Sequence, residues 1–288
     1  MNTIALSTYA DAREAYRHKA LQQALYDEGQ RLMSGVIVNL HGQAHLDRRR
    51  LENRLFRRAI GRADLLPLAR RTMMTLSIAV AGVDRVVGDD DELDEIYALM
   101  DRLARASTVA HALGDKAAIV EDGDRALDEF RDRFYLASLE RRRRLIASFD
   151  DGAIGEDELP RDVLTTLLRN QDRLELPADV MLREIAYFPW VGSHSTSNQL
   201  VHAMHHVFEW IEARPNDRER LLTDRVLLQR FVHESLRLHP ASPVSLRHAL
   251  EDITLKSGVA IPRGSLVAIE LEKANRDALV WGDRADEF

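Results

Sequence analysis

Cysteine is absent from all 288 residues. That excludes disulfides, cysteine nucleophiles and thiolate-bound metal centres within this chain. An excess of basic charge is also missing: 40 Lys and Arg against 47 Asp and Glu give 40 − 47 = −7. Bulk attraction to nucleic acid or to an anionic membrane is therefore not expected, and any basic function must be local. No stretch reaches about 18 uncharged apolar residues, the length a membrane-spanning helix needs. The first 25 residues, MNTIALSTYADAREAYRHKALQQAL, carry charges throughout, so they do not read as a signal peptide. A cytoplasmic protein with no nucleic-acid partner and no membrane span is the expectation. No internal repeat, low-complexity segment or long linker interrupts the sequence, and the length suits a single domain over 1–288 with a sizeable core.

What is present is mostly helical in pattern. Apolar residues recur at spacings of three and four from about residue 8 to residue 240, punctuated by polar breaks such as VGDDDELD, LGDKAAIVEDGD, FDDGAIGEDELP and ARPNDRER. The texture changes after Pro243, where SLRHAL, DITL, VAIP and SLVAIEL are short and alternating, with KSG and PRG between them as turn signals. A small β region over 243–272 is therefore expected behind the helices. The fold class is mainly α with a small β region, α+β.

Four stretches invite a chemical reading. FVHESLRLHP, residues 231–240, sets Glu234 and Arg237 three apart on one helical face. The E-x-x-R spacing recurs along the chain, as at Glu14/Arg17, Glu28/Arg31, Glu140/Arg143 and Glu234/Arg237. Only the last sits in an apolar helix that ends at once in His-Pro and feeds the β region. HGQAHLDRRRLENRLF, residues 41–56, places His45 and Arg49 at i and i+4, two donors on one face that suit a carboxylate; a surface His beside a surface Arg is the plainer alternative. In the apolar run 181–211, Pro189 removes a backbone hydrogen bond, Gly192 weakens the helix and His194, Ser195 and Thr196 bring in polar groups. A kinked, locally opened helix is expected there, either as a groove for a small ligand or as a packing adjustment. Adjacent His205 and His206 point in different directions and make poor co-ligands of one metal. Finally, RRRLENRLFRR (48–58) and RRRR (141–144) read either as solvated helix faces or as docking patches for an acidic partner.

Taken in order, these pieces resemble the cytochrome P450 family, the haem-thiolate monooxygenases. GQAHLDRRRLENRLF resembles the family's C helix, whose H-x-x-x-R pair binds a haem propionate, which implies that role for His45 and Arg49. VGSHST resembles the oxygen-binding stretch of the long I helix, with His194 at the acidic position, Ser195 at the threonine position and Thr196 beside it. HESLRLHP resembles the K-helix E-x-x-R, which makes Glu234 and Arg237 a structural pair. The segment from Pro243 resembles the following strands, with Arg247 as the second propionate ligand and Ile261–Gly264 as the family's I-P-x-G turn; NRD at 275–277 and the final DEF also fit.

The resemblance implies haem b as cofactor and a small lipophilic substrate oxidised with O2. It also implies a ferredoxin or flavoprotein as electron donor, docking near Arg48, Arg49, Arg50 and Arg54. Departures accompany it. The family's acidic relay residue is replaced by His194, which can still carry protons near neutral pH. The iron-binding cysteine of the family's F-x-x-G-x-x-x-C-x-G loop has no counterpart, so no metal ligand is assigned and the isolated chain is expected to be inactive. His45 stands closer to the start than in the family. The fold is therefore expected to be incomplete at both ends, with the sheet edges at SLRHAL and SLVAIEL unpaired and prone to association. Arg237 is expected to lack its usual partner segment and to make its helix a place of strain. The alternatives are a haem-free P450-like scaffold that activates a partner enzyme, or an inactive truncated gene product.

Overall fold

The computed structural model describes residues 3–45, 48, 65–85, 87–109, 112 and 114–288. It is mainly helical with small sheets. Its contacts gather into two compact units: residues 1–25 with 195–288, and residues 26–194.

In the first unit, β1 (Thr3–Leu6), β2 (Leu21–Gln23), β3 (Val244–Ala249) and β6 (Leu266–Glu270) form a four-stranded sheet in the order β1-β6-β3-β2. β1 runs parallel to β6, with Ile4 opposite Val267, and β2 runs antiparallel to β3, with Gln22 opposite His248. The edges expected to stand open are thus covered by the chain's own first residues. Sequence periodicity missed these strands because four and three residues are too few to show a period of two beside a longer helical pattern. β4 (Ile253–Thr254) and β5 (Ala260–Ile261) make a separate hairpin.

Alternation decides which face of the sheet is buried. Along β6, Val267 and Ile269 are fully buried while their neighbours are only partly so. They pack with Leu6, Ala12, Ala15, Leu21, Ile253, Leu255 and Ile261 into one apolar cluster, which the helix Tyr9–Arg17 joins through its alanine face.

The polar breaks of the sequence become helix caps. Asp89 accepts from the backbone N–H of Glu92 at 2.8 Å, and the Glu92 carboxylate reaches back to the amides of Val87 and Gly88. This opens the helix Asp90–Ser107 with three acids in its first turn, favourable at the positive end of the helix dipole. Asp115 caps Lys116–Phe130 and Asp162 caps Val163–Leu168 in the same manner. LGDKAAIVEDGD is a break only over its first residues; the remainder, Gly123 included, is helical. After Phe130 a π turn, Arg131–Tyr135, carries the chain without a loop into the helix Leu136–Asp150. Burial in this turn pushes the Tyr135 hydroxyl up to about 12.

Gly123 is a packing residue. A Cβ there would lie 2.2 Å from the Cβ of Ala106 on the helix Asp90–Ser107. The missing side chain lets two helix backbones approach closely, which outweighs the glycine's cost in helix propensity of about 1 kcal/mol. Gly123→Ala should therefore lower stability by about 1–3 kcal/mol despite its better propensity. Adding Ala106→Gly should restore most of the loss. Urea unfolding followed by circular dichroism measures both; a stabilised single variant would contradict the contact.

Candidate functional site

The helix Arg225–Leu238 starts at Asp224, whose Oδ1 accepts from the N–H of Val226 and Leu227 at 3.0 Å. It buries Phe231, Ser235 and Leu238 at spacings of four and three. Arg237, also buried, is a hub. Its Nε and Nη2 donate to the two carboxylate oxygens of Glu234 at 2.9 and 2.7 Å. Nη1 donates to the carbonyls of Asn275 (2.9 Å) and Ala285, and Nη2 to that of Glu287 (2.9 Å). The guanidinium also lies 5.0 Å from the ring centroid of Trp281. The expectation of an unmatched bracket is corrected: residues 275–287 supply its partners. Among the E-x-x-R matches named from the sequence, this is the pair that closes on itself. Glu28 instead meets Lys116, Arg31 meets Asp124, Glu140 meets Arg144, and Glu14 accepts from the amide of Lys256.

β3 carries Arg247. Its Nη1 donates to the Gln23 side chain on β2, to Ser245 Oγ at 2.7 Å and to the carbonyl of Leu246 at 2.8 Å, and its guanidinium packs 4.9 Å from the Tyr16 ring centroid. Burial pulls its pKa down, and the Tyr16 hydroxyl pulls it back up. Among the described residues no carboxylate pairs with it. A partly desolvated guanidinium that meets neutral acceptors has the chemistry to add an anion that accepts bidentate hydrogen bonds, such as a carboxylate.

The helix Ala178–Ala213 is continuous through Pro189, so the expected opening does not occur. Proline costs one bond, to the carbonyl of Ile185. The buried rings of Tyr187, Phe188 and Trp190 hold the helix on either side, with Tyr187 edge-on to Trp190 at 5.4 Å. At Gly192 a Cβ would come within 2.6 Å of Ser77 Oγ, so the glycine is a packing adjustment. His194 folds back on its own helix, with Nδ1 2.9 Å from the carbonyl of Trp190. That contact requires the proton on Nδ1 and leaves Nε2 buried without a hydrogen bond, 4.0 Å from Asp101 Oδ1. Tyr97 packs on the ring at 5.2 Å.

Ser195 and Thr196 are exposed and belong to the first unit. Ser195 borders a polar cavity of about 230 Å³ with Asn198, Gln199, His202, His239 and Glu272. Sequence reading missed His202 and His239 at this cavity. Their signal was the i, i+4 spacing of His202 and His206 next to the His-Pro that ends the following helix.

In the second unit, His45 is helical and half-buried, while Arg49, Arg50 and Arg54 lie outside the described residues. Arg48 does not serve a docking surface. It is buried, and its Nη1 donates to Glu184 at 2.8 Å and to the carbonyl of Gly35 at 2.9 Å. The run 141–144 is divided likewise: Arg142 is buried against Asp84 and Asp162, with 3.0 and 2.9 Å bonds to the latter, whereas Arg141, Arg143 and Arg144 face solvent. Among the described residues no cluster of three or more His, Asp or Glu is placed to hold a metal ion, and no helix is long and apolar enough to cross a membrane.

Comparison with known proteins follows this geometry. The family described as Cytochrome P450 matches residues 202–288. "Cytochrome P450 monooxygenase 103" of Postia placenta is 27% identical over 153 residues, covering 48% of this chain and 30% of that protein. "Probable cytochrome P450 313a2" of Drosophila melanogaster is 38% identical over 78 residues, 27% of this chain and 15% of that one. The chain thus matches well under two thirds of these relatives' length. The fold extends further. CalO2 superimposes with a TM-score of 0.67 at 20% identity, over 99% of this chain and 72% of its own. Mycobacterium smegmatis CYP164A2 gives 0.68 at 18% identity, over 100% and 74%.

The two members of the buried pair should respond unequally. Arg237→Ala removes five hydrogen bonds and leaves three carbonyls unpaired, with an expected loss of about 3–5 kcal/mol. Glu234, whose side chain is 34% exposed, should cost about 1–3 kcal/mol as Glu234→Ala. Equal losses in urea unfolding would contradict the hub.

Proposed function

We propose that the chain is a cytochrome P450 and represents part of a haem-dependent monooxygenase, a reading supported by the family match over residues 202–288, by its curated relatives and by the fold it shares with solved structures. This enzyme would oxidise a small lipophilic substrate with O2 and electrons from a ferredoxin or flavoprotein. The observation that carries the reading is Arg247, a half-buried guanidinium with no carboxylate partner among the described residues, on the strand where the family holds a haem propionate. His45 and Arg49 are assigned to the other propionate. Arg49, Arg50 and Arg54 remain the proposed docking residues, without Arg48. A cytoplasmic location belongs to the same reading.

The residues fit the cofactor in part. Arg247 suits its carboxylates, but with no Cys among the 288 residues the thiolate for the iron is not supplied. When bound through a thiolate, the haem activates dioxygen. What its own residues offer is proton handling at the oxygen-activation position. Ser195 and Thr196 present hydroxyls to solvent. His194 holds one proton on Nδ1 against Trp190 and has Nε2 in reach of Asp101 once a second proton arrives. The absence of a thiolate and of the acidic relay residue favours a second reading, a haem-free scaffold that activates a partner enzyme.

Haem titration separates the two. The first reading expects saturable uptake by the 288-residue protein, weakened about tenfold or more by Arg247→Gln through loss of a charge-assisted pair. It also expects no thiolate-type absorption band after reduction and addition of carbon monoxide. Absent uptake would support the scaffold, and uptake unchanged by Arg247→Gln would remove Arg247 from the site.

A further inference from the structure

Four rings stack in the first unit. His202 and His239 lie face to face, with centroids 4.4 Å apart and planes 7° from parallel. His239 continues onto His206 at 5.2 Å and 25°, and His206 onto Phe288 at 4.3 Å and 22°. The stack joins three parts of the chain: His202 and His206 on the helix Ala178–Ala213, His239 at the end of Arg225–Leu238, and Phe288 in the segment whose carbonyls hold Arg237. His206 is buried, and its Nδ1 lies 3.1 Å from Ser235 Oγ.

Imidazole is the one side chain in this arrangement that changes charge near neutral pH. Neutral rings stack flat against one another, whereas two protonated rings 4–5 Å apart repel in a partly desolvated place. We propose that His202, His239 and His206 form a pH-sensitive clasp, which holds residues 282–288 against the helices while its rings are neutral and releases them as the rings protonate.

The surrounding charges favour the neutral state on balance. Burial, followed by the neighbouring histidines, holds the pKa of His206 below the usual range, with Glu209 opposing. Burial, His202 and Arg276 do the same for His239, with Glu272 opposing. His205 adds a like charge to both when protonated and is 3.3 Å from Glu209. From the helix Arg225–Leu238, Glu234 and Arg237 are bonded to each other, and Arg230 lines a cavity with Arg214, Arg284, Glu287 and Phe288. The folded-state pKa values are lowered, so the unfolded or released state binds more protons between the folded values and about 6.5. The contribution to stability is complete above about pH 6.5 and is lost as pH falls through the lowered values.

Hydrogen exchange of the 288-residue protein tests the clasp. After correction for intrinsic rates, amides of residues 282–288 should exchange about tenfold faster at pH 5.5 than at pH 7.5, while those of the buried strand β6 keep their protection. His239→Phe keeps a flat ring in the stack and removes its central charge, and should abolish the pH dependence of that segment. Unchanged protection at the two pH values, or the same pH dependence in the variant, overturns the proposal. Ring titrations of the wild-type protein by NMR give an independent reading that needs no variant. Midpoints of His206 and His239 below that of exposed His205 support the clasp; three independent titrations at the ordinary value overturn it.

Discussion

The guanidinium of Arg237 is the interaction on which the first unit depends. A buried arginine must satisfy its donors, because each one left unpaired in a low-dielectric place costs about 1–3 kcal/mol. Here two go to Glu234, one turn earlier, and three bonds go to the carbonyls of Asn275, Ala285 and Glu287. Those carbonyls lie on either side of the short helix Ala278–Trp281, outside its own hydrogen bonds, so one side chain ties both flanks of that turn to the helix Arg225–Leu238. Return bonds reinforce it: Asn275 Nδ2 donates to the carbonyl of Arg237 at 3.1 Å, and Arg276 to that of Leu238. The last turn of the helix, which would otherwise leave carbonyls unpaired, is thereby capped from the same segment. Glu234 holds the fork in plane and stays partly in water, which lowers the desolvation cost of the pair.

Much of this was legible in the sequence, for a specific reason. E-x-x-R by itself recurs wherever helices carry mixed charge, and members of the Glu14/Arg17, Glu28/Arg31 and Glu140/Arg143 matches form other partnerships. The match at Glu234/Arg237 was marked by its neighbours: apolar residues at spacings of four and three, then His-Pro, then alternating strands. Those features require the helix to be buried and to stop, and a charge pair on a buried face has to close locally. The mainly helical pattern with strands after Pro243 was legible on the same grounds, since both periods are long enough there to be seen.

What escaped the sequence depends on contacts between distant residues. β1 and β2 are too short to announce themselves and become strands because β6 and β3 offer them hydrogen-bonding edges. Gly123 and Gly192 read as breaks, yet both are places where another helix approaches too closely for a side chain. Pro189 reads as a kink, but the rings packed around it hold the helix together. The arginine runs read as uniform surfaces, although Arg48 and Arg142 point inward to Glu184 and Asp162. In a run of four or more identical residues on a helix, one position in each turn must meet whatever packs there. Charge count alone cannot tell which one does.

The residues assigned to haem separate into two chemical demands that this chain meets unequally. Holding a carboxylate calls for a partly desolvated cation, and Arg247 has that character through its strand, its neutral hydrogen-bond partners and its packing on Tyr16. Ligating iron for O–O cleavage requires a thiolate, and no residue in the sequence provides one. The two demands are independent: a half-buried guanidinium bonded to Gln23, Ser245 and Leu246 is satisfied within its own sheet, so an anion would add to these bonds rather than be required by them.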